Sequence, residues 1–145
     1  MSRLILQVEQ FQSTKDFVDL ASRARDLGMA VGACLEPHTP VGVLDELLSA
    51  RHSDSPLVEM INVLAVGCGV AGQMFDDSVL PKVKHLFSKH RHTLRHIAVD
   101  GGITSATAAQ AAEAGANLLV SGSFIFKDVH AHYNALVEVL SRFAV

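Results

Sequence analysis

The chain has 145 residues, of which 49% are hydrophobic and 19% charged, and its net charge is −3. This length allows one domain with a substantial core, and the composition excludes an intrinsically disordered chain, which would carry fewer apolar and more charged residues. The slightly acidic balance predicts neither a nucleic-acid partner nor attraction to an anionic membrane, and no apolar run reaches the roughly 18 residues that a membrane-spanning helix needs.

The cysteines and the N-terminal residues indicate the cellular compartment in which the chain is expected. Cys34 and Cys68 lie far apart in the sequence and match neither a disulfide framework nor a CxxC metal motif. The apolar stretch near the N-terminus is too short for the core of a signal peptide. We therefore expect a single domain over residues 1–145 in the reducing environment of the cytoplasm.

Short apolar runs alternate with amphipathic stretches along the whole chain. In chain order this pattern predicts a strand over residues 4–8, a helix over 14–27, a strand over 30–35, a helix over 41–50, a strand over 58–66, a helix over 77–90, a strand over 96–99, a helix over 104–114, a strand over 117–120 and a helix over 128–143. Gly28 and Gly115 follow two of the helices as stop signals, and Thr104 begins one as a cap.

Five alternating β-α units imply a parallel sheet with right-handed crossovers. Two architectures fit. One is a partial TIM (β/α) barrel, since a complete barrel has eight units and about 250 residues. The other is an open, doubly wound parallel sheet that forms a self-contained domain. Composition does not separate them.

Three of the predicted strand-to-helix junctions are rich in glycine, namely residues 67–73 (GCGVAGQ), 100–104 (DGGIT) and 121–123 (SGS). Glycines let the backbone approach a ligand closely, and free N–H groups at the start of a following helix favour an anion. One such junction is usually only a turn, but two consecutive ones match the paired phosphate clamp of the last two strands of a barrel. The residues expected to contact a phosphate or a phosphorylated sugar are Gly69, Ala71, Gly72, Gly101, Gly102, Gly122 and Ser123.

Residues 96–126 (HIAVDGGITSATAAQAAEAGANLLVSGSFIF) resemble the last two βα units of the ribulose-phosphate 3-epimerase family, with its VDGGI, EAGA and GS-x-IF motifs. Residues 32–40 (GACLEPHTP) resemble that family's fifth-strand motif, and residues 66–75 (VGCGVAGQMF) and 77–83 (DSVLPKV) resemble its sixth-strand loop and the segment that follows. The resemblance runs from about Leu4 to the end of the chain, and it covers only the fourth to eighth strands of the family's barrel.

The resemblance implies a chemistry that this chain could perform only in part. Members of the family interconvert ribulose 5-phosphate and xylulose 5-phosphate in the pentose phosphate part of carbohydrate metabolism, using two aspartates on opposite faces of the sugar. Two histidines and those aspartates hold a divalent metal such as zinc, iron, manganese or cobalt. Asp100 matches the second aspartate, and it is the only metal-ligand position retained. We therefore expect impaired or no activity from the isolated chain, and no tightly bound metal.

The loops also depart from the family's motifs. Gly67 and Cys68 replace Asn-Pro, Val70 replaces Phe, and in the fifth-strand motif Glu36 replaces Asn. A carboxylate at position 36 would repel an anionic substrate if it faced inward.

Several of these residues also have purely structural interpretations. Asp100 could cap the helix that begins near Thr104. His85 and His90 are five residues apart on one predicted helix, a spacing that does not place two ligands on one face, so we expect solvated side chains there and at His92 and His96. His130 and His132 are expected on the surface, and Cys68 has no evident base beside it.

Two classes of function follow. One is an isomerase (an epimerase) working as a fragment or in an assembly, and the other is a non-catalytic remnant that binds sugar phosphates or other proteins. An unrelated phosphate-binding module and a truncated gene are further alternatives.

A cut barrel would expose its edge strands and the inner faces of its strands. The residues expected on those inner faces are Val31, Ala33, Val63, Ala65, Ile97 and Val99, or the residues that alternate with them. We therefore expect a homodimer or a higher homo-oligomer.

Overall fold

A computed structural model of the chain describes residues 2–67, 69, 72–127, 134 and 138. The strands in chain order are β1 (Arg3–Gln7), β2 (Ala30–Leu35), β3 (Arg51–His52), β4 (Ser55–Pro56), β5 (Met60–Leu64), β6 (His96–Asp100) and β7 (Leu118–Val120). The α-helices are α1 (Thr14–Asp26), α2 (Leu44–Ser49), α3 (Leu80–His90), α4 (Ser105–Glu113) and α5 (Ser123–Lys127). Single 3-10 turns at Val8–Gln10, Val41–Val43 and Asp77–Val79 follow β1 and precede α2 and α3.

Five strands form one parallel sheet in the order β1-β2-β5-β6-β7. This order follows the chain without reversal, so each crossover advances by one strand in the same direction. A doubly wound sheet would need a reversal of strand order. Among the described strands, β1 and β7 each have one neighbour. The fold is therefore α/β with the winding of a partial TIM barrel, and its sheet is open.

One face of the sheet packs against the helices. Strand residues such as Val31, Val63 and Val99 share a hydrophobic cluster with Phe17 of α1 and Leu86 of α3, and all five are almost completely buried. The six residues expected to be exposed as the inner face of a cut barrel are at most 2% exposed, so that assignment is wrong for Val31, Ala33, Val63, Ala65, Ile97 and Val99. These side chains point to the helices, because the side chains of a strand alternate between its two faces.

The alternate residues occupy the other, inner face of the sheet. At its two edges this face is open, with Ile5 44% exposed and Val120 40% exposed. In the centre, Met60, Asn62 and Ala98 are buried. The inner face is therefore accessible mainly along its edges.

Two local features differ from the sequence-based expectation. A short antiparallel hairpin of β3 and β4 lies between α2 and β5, with Ser53 at a positive φ of 52° in its turn. A helix begins at Ser123, five residues before the predicted start at position 128. The predicted helix over 128–143 lies outside the described residues, apart from positions 134 and 138.

Within the part of the chain that the structure describes, no helix is long and apolar enough to cross a bilayer.

Candidate functional site

A cavity of about 380 Å³ lies at the carboxyl ends of β5, β6 and β7. The register pairs Leu64 with Asp100 and Asp100 with Val120, so the three strands end at the same level of the sheet. The predicted site residues that line this cavity are Gly69, Gly72, Asp100, Gly101, Gly102, Gly122 and Ser123. Ala71, also predicted, lies outside the described residues, as does Cys68. The structure thus brings the glycine-rich junctions together at the edge of the sheet where parallel α/β folds bind ligands.

Gly101 and Gly102 are required by the backbone itself. Their φ angles are +105° and +63°, in the left-handed region that favours glycine. A Cβ atom at Gly101 would lie 2.3 Å from Val66 Cγ2, and one at Gly102 would lie 2.5 Å from the backbone nitrogen of Phe75. The DGG motif therefore packs the β6–α4 turn tightly against the loop after β5.

Gly122 is different. It has no positive φ, and a Cβ atom placed on it would meet nothing within 4 Å. Its backbone is open to the cavity that it lines, and nothing in the local packing demands a glycine there.

Hydrogen bonds hold the three junctions in place. Gln73 Nε2 donates to the carbonyl oxygen of Gly67 at 2.7 Å, which closes the loop after β5. Ser121 Oγ donates to the carbonyl oxygen of Ile103 at 3.0 Å, which ties the turn after β7 to the turn after β6. Sequence reasoning did not assign these roles to Gln73 and Ser121, although both stand inside motifs that it used. Their positions show that the cavity wall is a connected structure rather than three separate loops.

Asp100 is a half-buried residue at the end of β6, and it lines the cavity. It does not cap α4, because Thr104 has that role. The Thr104 hydroxyl accepts from the N–H of Thr107, and the Thr107 hydroxyl accepts from the N–H of Thr104. The interpretation of Asp100 as a helix cap is therefore wrong, and its carboxyl group is available to the cavity.

The family's divalent metal does not fit the described residues of this cavity. Asp100 is the only His, Cys, Asp or Glu side chain among them. In the described part of the chain, the group of three such side chains close enough to share an ion is elsewhere and does not include Asp100. Hard and borderline divalent metals need several such ligands, so no chemical step is assigned to a metal here.

Glu36 does not line the cavity. Its Oε1 accepts a hydrogen bond of 2.7 Å from Gln7 Nε2, and its backbone N–H donates to Glu9 Oε1 at 2.8 Å. Lys82 Nζ donates to the carbonyl oxygens of Glu36, Pro37 and Thr39, which fixes the loop after β2. Burial lowers the pKa of Lys82, against the opposing effects of Asp76 and Glu9. The carboxylate at position 36 thus belongs to a loop-holding network.

The expectation that His85 and His90 are solvated holds only in part, because both residues are half-buried. The Nε2 atoms of both imidazoles are buried and have no hydrogen-bond partner among the described residues. Asp45, from α2, lies beside them. The two rings lie 6.5 Å apart between centroids, although the residues are five positions apart on α3. His92 is exposed as expected, and His96 is half-buried with its pKa lowered, first by burial and then by Arg3 and Arg95. His130 and His132 lie outside the described residues.

Known proteins resemble this chain in sequence and in fold. The model of the ribulose-phosphate 3 epimerase family matches residues 2–126. Ribulose-phosphate 3-epimerase of Schizosaccharomyces pombe is 34% identical over 131 residues, which cover 90% of this chain and 51% of that protein. The Bacillus subtilis protein of the same name is 37% identical over 106 residues, 70% of this chain and 45% of that protein.

A chloroplastic ribulose-5-phosphate-3-epimerase of Arabidopsis thaliana is 32% identical over 117 residues, 79% of this chain and 39% of that protein. In structure, the chain resembles a chain of the Amycolatopsis orientalis BexX/CysO complex with a TM-score of 0.60 at 18% identity, covering 90% of this chain and 49% of that one, which is a likeness of fold. The chain spans about half the length of the curated relatives that it matches. With the family model matched over most of its length, this chain belongs to the ribulose-phosphate 3-epimerase family.

Proposed function

We propose that the chain binds a phosphorylated sugar, or inorganic phosphate, in the cavity at the ends of β5, β6 and β7. The observation that carries this proposal is the convergence of Gly101, Gly102, Gly122 and Ser123 on one cavity that also contains Asp100. Backbone N–H groups at such turns are suited to phosphate oxygens, because they donate without bringing a side chain into the site. Family membership supports ribulose 5-phosphate as the sugar phosphate.

Asp100 is the group that we propose for proton transfer. Inversion of a carbon next to a carbonyl needs one acid–base group on each face of the substrate. Among the described residues that line the cavity, Asp100 is the only carboxylic acid. Its carboxylate would take the C3 proton of ribulose 5-phosphate, leaving an enediolate, and would return a proton to the same face. The configuration at C3 would then be retained, so the isolated chain would exchange this proton without epimerising the sugar.

An exchange experiment tests this chemistry. The purified chain is incubated with ribulose 5-phosphate in D2O, with and without an added divalent metal, and the C3 proton is followed by NMR. We expect deuterium at C3 with no xylulose 5-phosphate, and we expect the Asp100→Asn variant to lose the exchange. Formation of xylulose 5-phosphate by a monomeric chain would refute the proposed half-site.

The second candidate function is a binding protein without chemistry, which the many departures from the family's sixth-strand loop favour. It differs from the first in one result of the same experiment. No deuterium exchange, combined with saturable binding of ribulose 5-phosphate, would refute the role of Asp100 and retain the binding role of the glycine junctions.

A further inference from the structure

Three metal-ligating side chains converge on the helical side of the fold, away from the cavity at the strand ends. Asp45 stands in the first turn of α2, and His85 and His90 belong to α3. One ligand atom from each residue lies within 4.8 Å of the other two. Nitrogen and oxygen ligands lie about 2.1 Å from zinc, so ligands in one tetrahedral shell are about 3.4 Å apart. A side-chain adjustment of little more than about 1 Å would bring all three into a single coordination shell.

Each of the two imidazoles has one buried polar atom that is left unsatisfied. Both Nε2 atoms are buried without a hydrogen-bond partner among the described residues. Buried polar atoms are almost always satisfied, because leaving one unpaired costs the free energy of removing it from water. The two rings are 6.5 Å apart between centroids. A single cation held by both Nε2 atoms and the Asp45 carboxylate would account for both of them.

We propose that Asp45, His85 and His90 bind one divalent transition-metal ion of the zinc class. Imidazole nitrogen and carboxylate oxygen are both normal zinc ligands, and a set of three leaves a fourth position for water. Asp45 is exposed, so this fourth position has access to solvent. The ion connects α2 to α3, two helices from successive β-α units. It is separate from the position of the family's metal, because Asp100 takes no part in the cluster.

Zinc binding by the untagged chain tests the proposal. The chain is stripped with a chelator, dialysed against zinc and analysed for bound metal, and cobalt is substituted to record the absorption spectrum of its coordination shell. We expect one equivalent of zinc, a tetrahedral cobalt spectrum and a rise in Tm with zinc, because an ion that binds only the folded state stabilises it. The His85→Ala, His90→Ala and Asp45→Ala variants should bind zinc at least about tenfold more weakly, since even loss of an outer-shell partner typically costs 10–100-fold.

Two control variants make the result specific. His92→Ala removes an exposed histidine near the end of α3, and Asp100→Asn changes the carboxyl group of the strand-end cavity. Both should retain one equivalent of zinc and the same cobalt spectrum. Loss of zinc in Asp100→Asn would place the ion at the other site and overturn the proposal. So would a wild-type chain that binds no zinc, or an unchanged zinc affinity in the Asp45→Ala variant.

Discussion

At the scale of single residues, the glycines of the strand-end junctions differ in how strongly the backbone requires them. The sequence showed the glycines but not which of them the backbone requires. Gly101 and Gly102 have positive φ angles and neighbours that exclude a Cβ atom, whereas Gly122 has neither. A sequence lists residue types, and the close approach of Val66 and Phe75 to the DGG turn depends on how distant segments pack. Gly122 is therefore the position at which binding can be tested without damage to the fold.

We predict that Gly122→Leu folds normally and loses phosphate binding. The new side chain enters open space on the cavity wall, where it would occupy the volume expected for the ligand. Calorimetric titration with ribulose 5-phosphate should show a loss of affinity of at least about tenfold, equivalent to about 1.4 kcal/mol. An unchanged affinity would mean that the phosphate site has been misplaced.

A matched control is Gly42→Leu. Gly42 also has open space around its Cβ position, but it lies before α2 and does not line the cavity. This variant should bind the sugar phosphate as the wild type does. By contrast, Gly101→Ala should be destabilised by roughly 1–3 kcal/mol, because a non-glycine residue at that φ is strained.

At the scale of elements, periodicity predicted the main strands and α1–α4 to within a few residues. A continuous apolar run identified β2 over the residues observed, and glycine marked the ends of α1 and α4. The β3–β4 hairpin was not predicted, because two-residue strands are too short for a periodic pattern. Helix α5 was not predicted, because its five-residue SFIFK sequence is too short for a periodic pattern.

We predict that Asp76→Ala destabilises the start of α3 at neutral pH. The side chain of Asp76 accepts from the N–H of Ser78 at 3.0 Å and caps the 3-10 turn that leads into that helix. Removal of such a cap costs about 1 kcal/mol. Urea unfolding of the wild type and the variant at about pH 6 should show this difference, and Asp77→Ala, which removes an adjacent exposed carboxylate, should cost less.

The same cap should depend on pH. Hydrogen bonds from the hydroxyl and the N–H of Ser78 lower the pKa of Asp76 from its usual 3.8, and His38 and Lys82 lower it further. The folded state therefore favours the ionised carboxylate, so the stabilisation is complete above about pH 3.8 and is lost as the pH falls through the lowered value. The difference in free energy of unfolding between the wild type and Asp76→Ala should therefore shrink as the pH falls below about 3.8. A difference that grew at acid pH would contradict the role of Asp76 as a cap.

At the scale of the molecule, the chain has the fold of one part of a barrel. The residue motifs indicated both the family and the strand-end site, and the sheet order decided between the two architectures that composition left open. The cluster of Asp45, His85 and His90 was missed, because its members come from two helices whose packing is not visible in the sequence. Local motifs reveal a site carried by consecutive loops, whereas a site assembled between elements requires the tertiary structure.

We predict that the chain self-associates. Among the described strands, β1 and β7 each lack a second neighbour, and Ile5 and Val120 on them are about two-fifths exposed. Unpaired apolar edges favour pairing with another chain. Light scattering at micromolar concentration should give the molar mass of a dimer or a larger symmetric oligomer. The Ile5→Lys variant should shift the equilibrium towards the monomer. A monomer at every concentration would refute this prediction.

The central claim is that the chain retains the phosphate-binding half of the family's site. The most direct measurement is an NMR titration of the 15N-labelled chain with inorganic phosphate and then with ribulose 5-phosphate, following the backbone amides. We predict saturable shifts concentrated at Gly101, Gly102, Gly122 and Ser123, with the same residues responding to both ligands. No saturable shift at these four amides, or shifts confined to residues away from the ends of β6 and β7, would contradict the account.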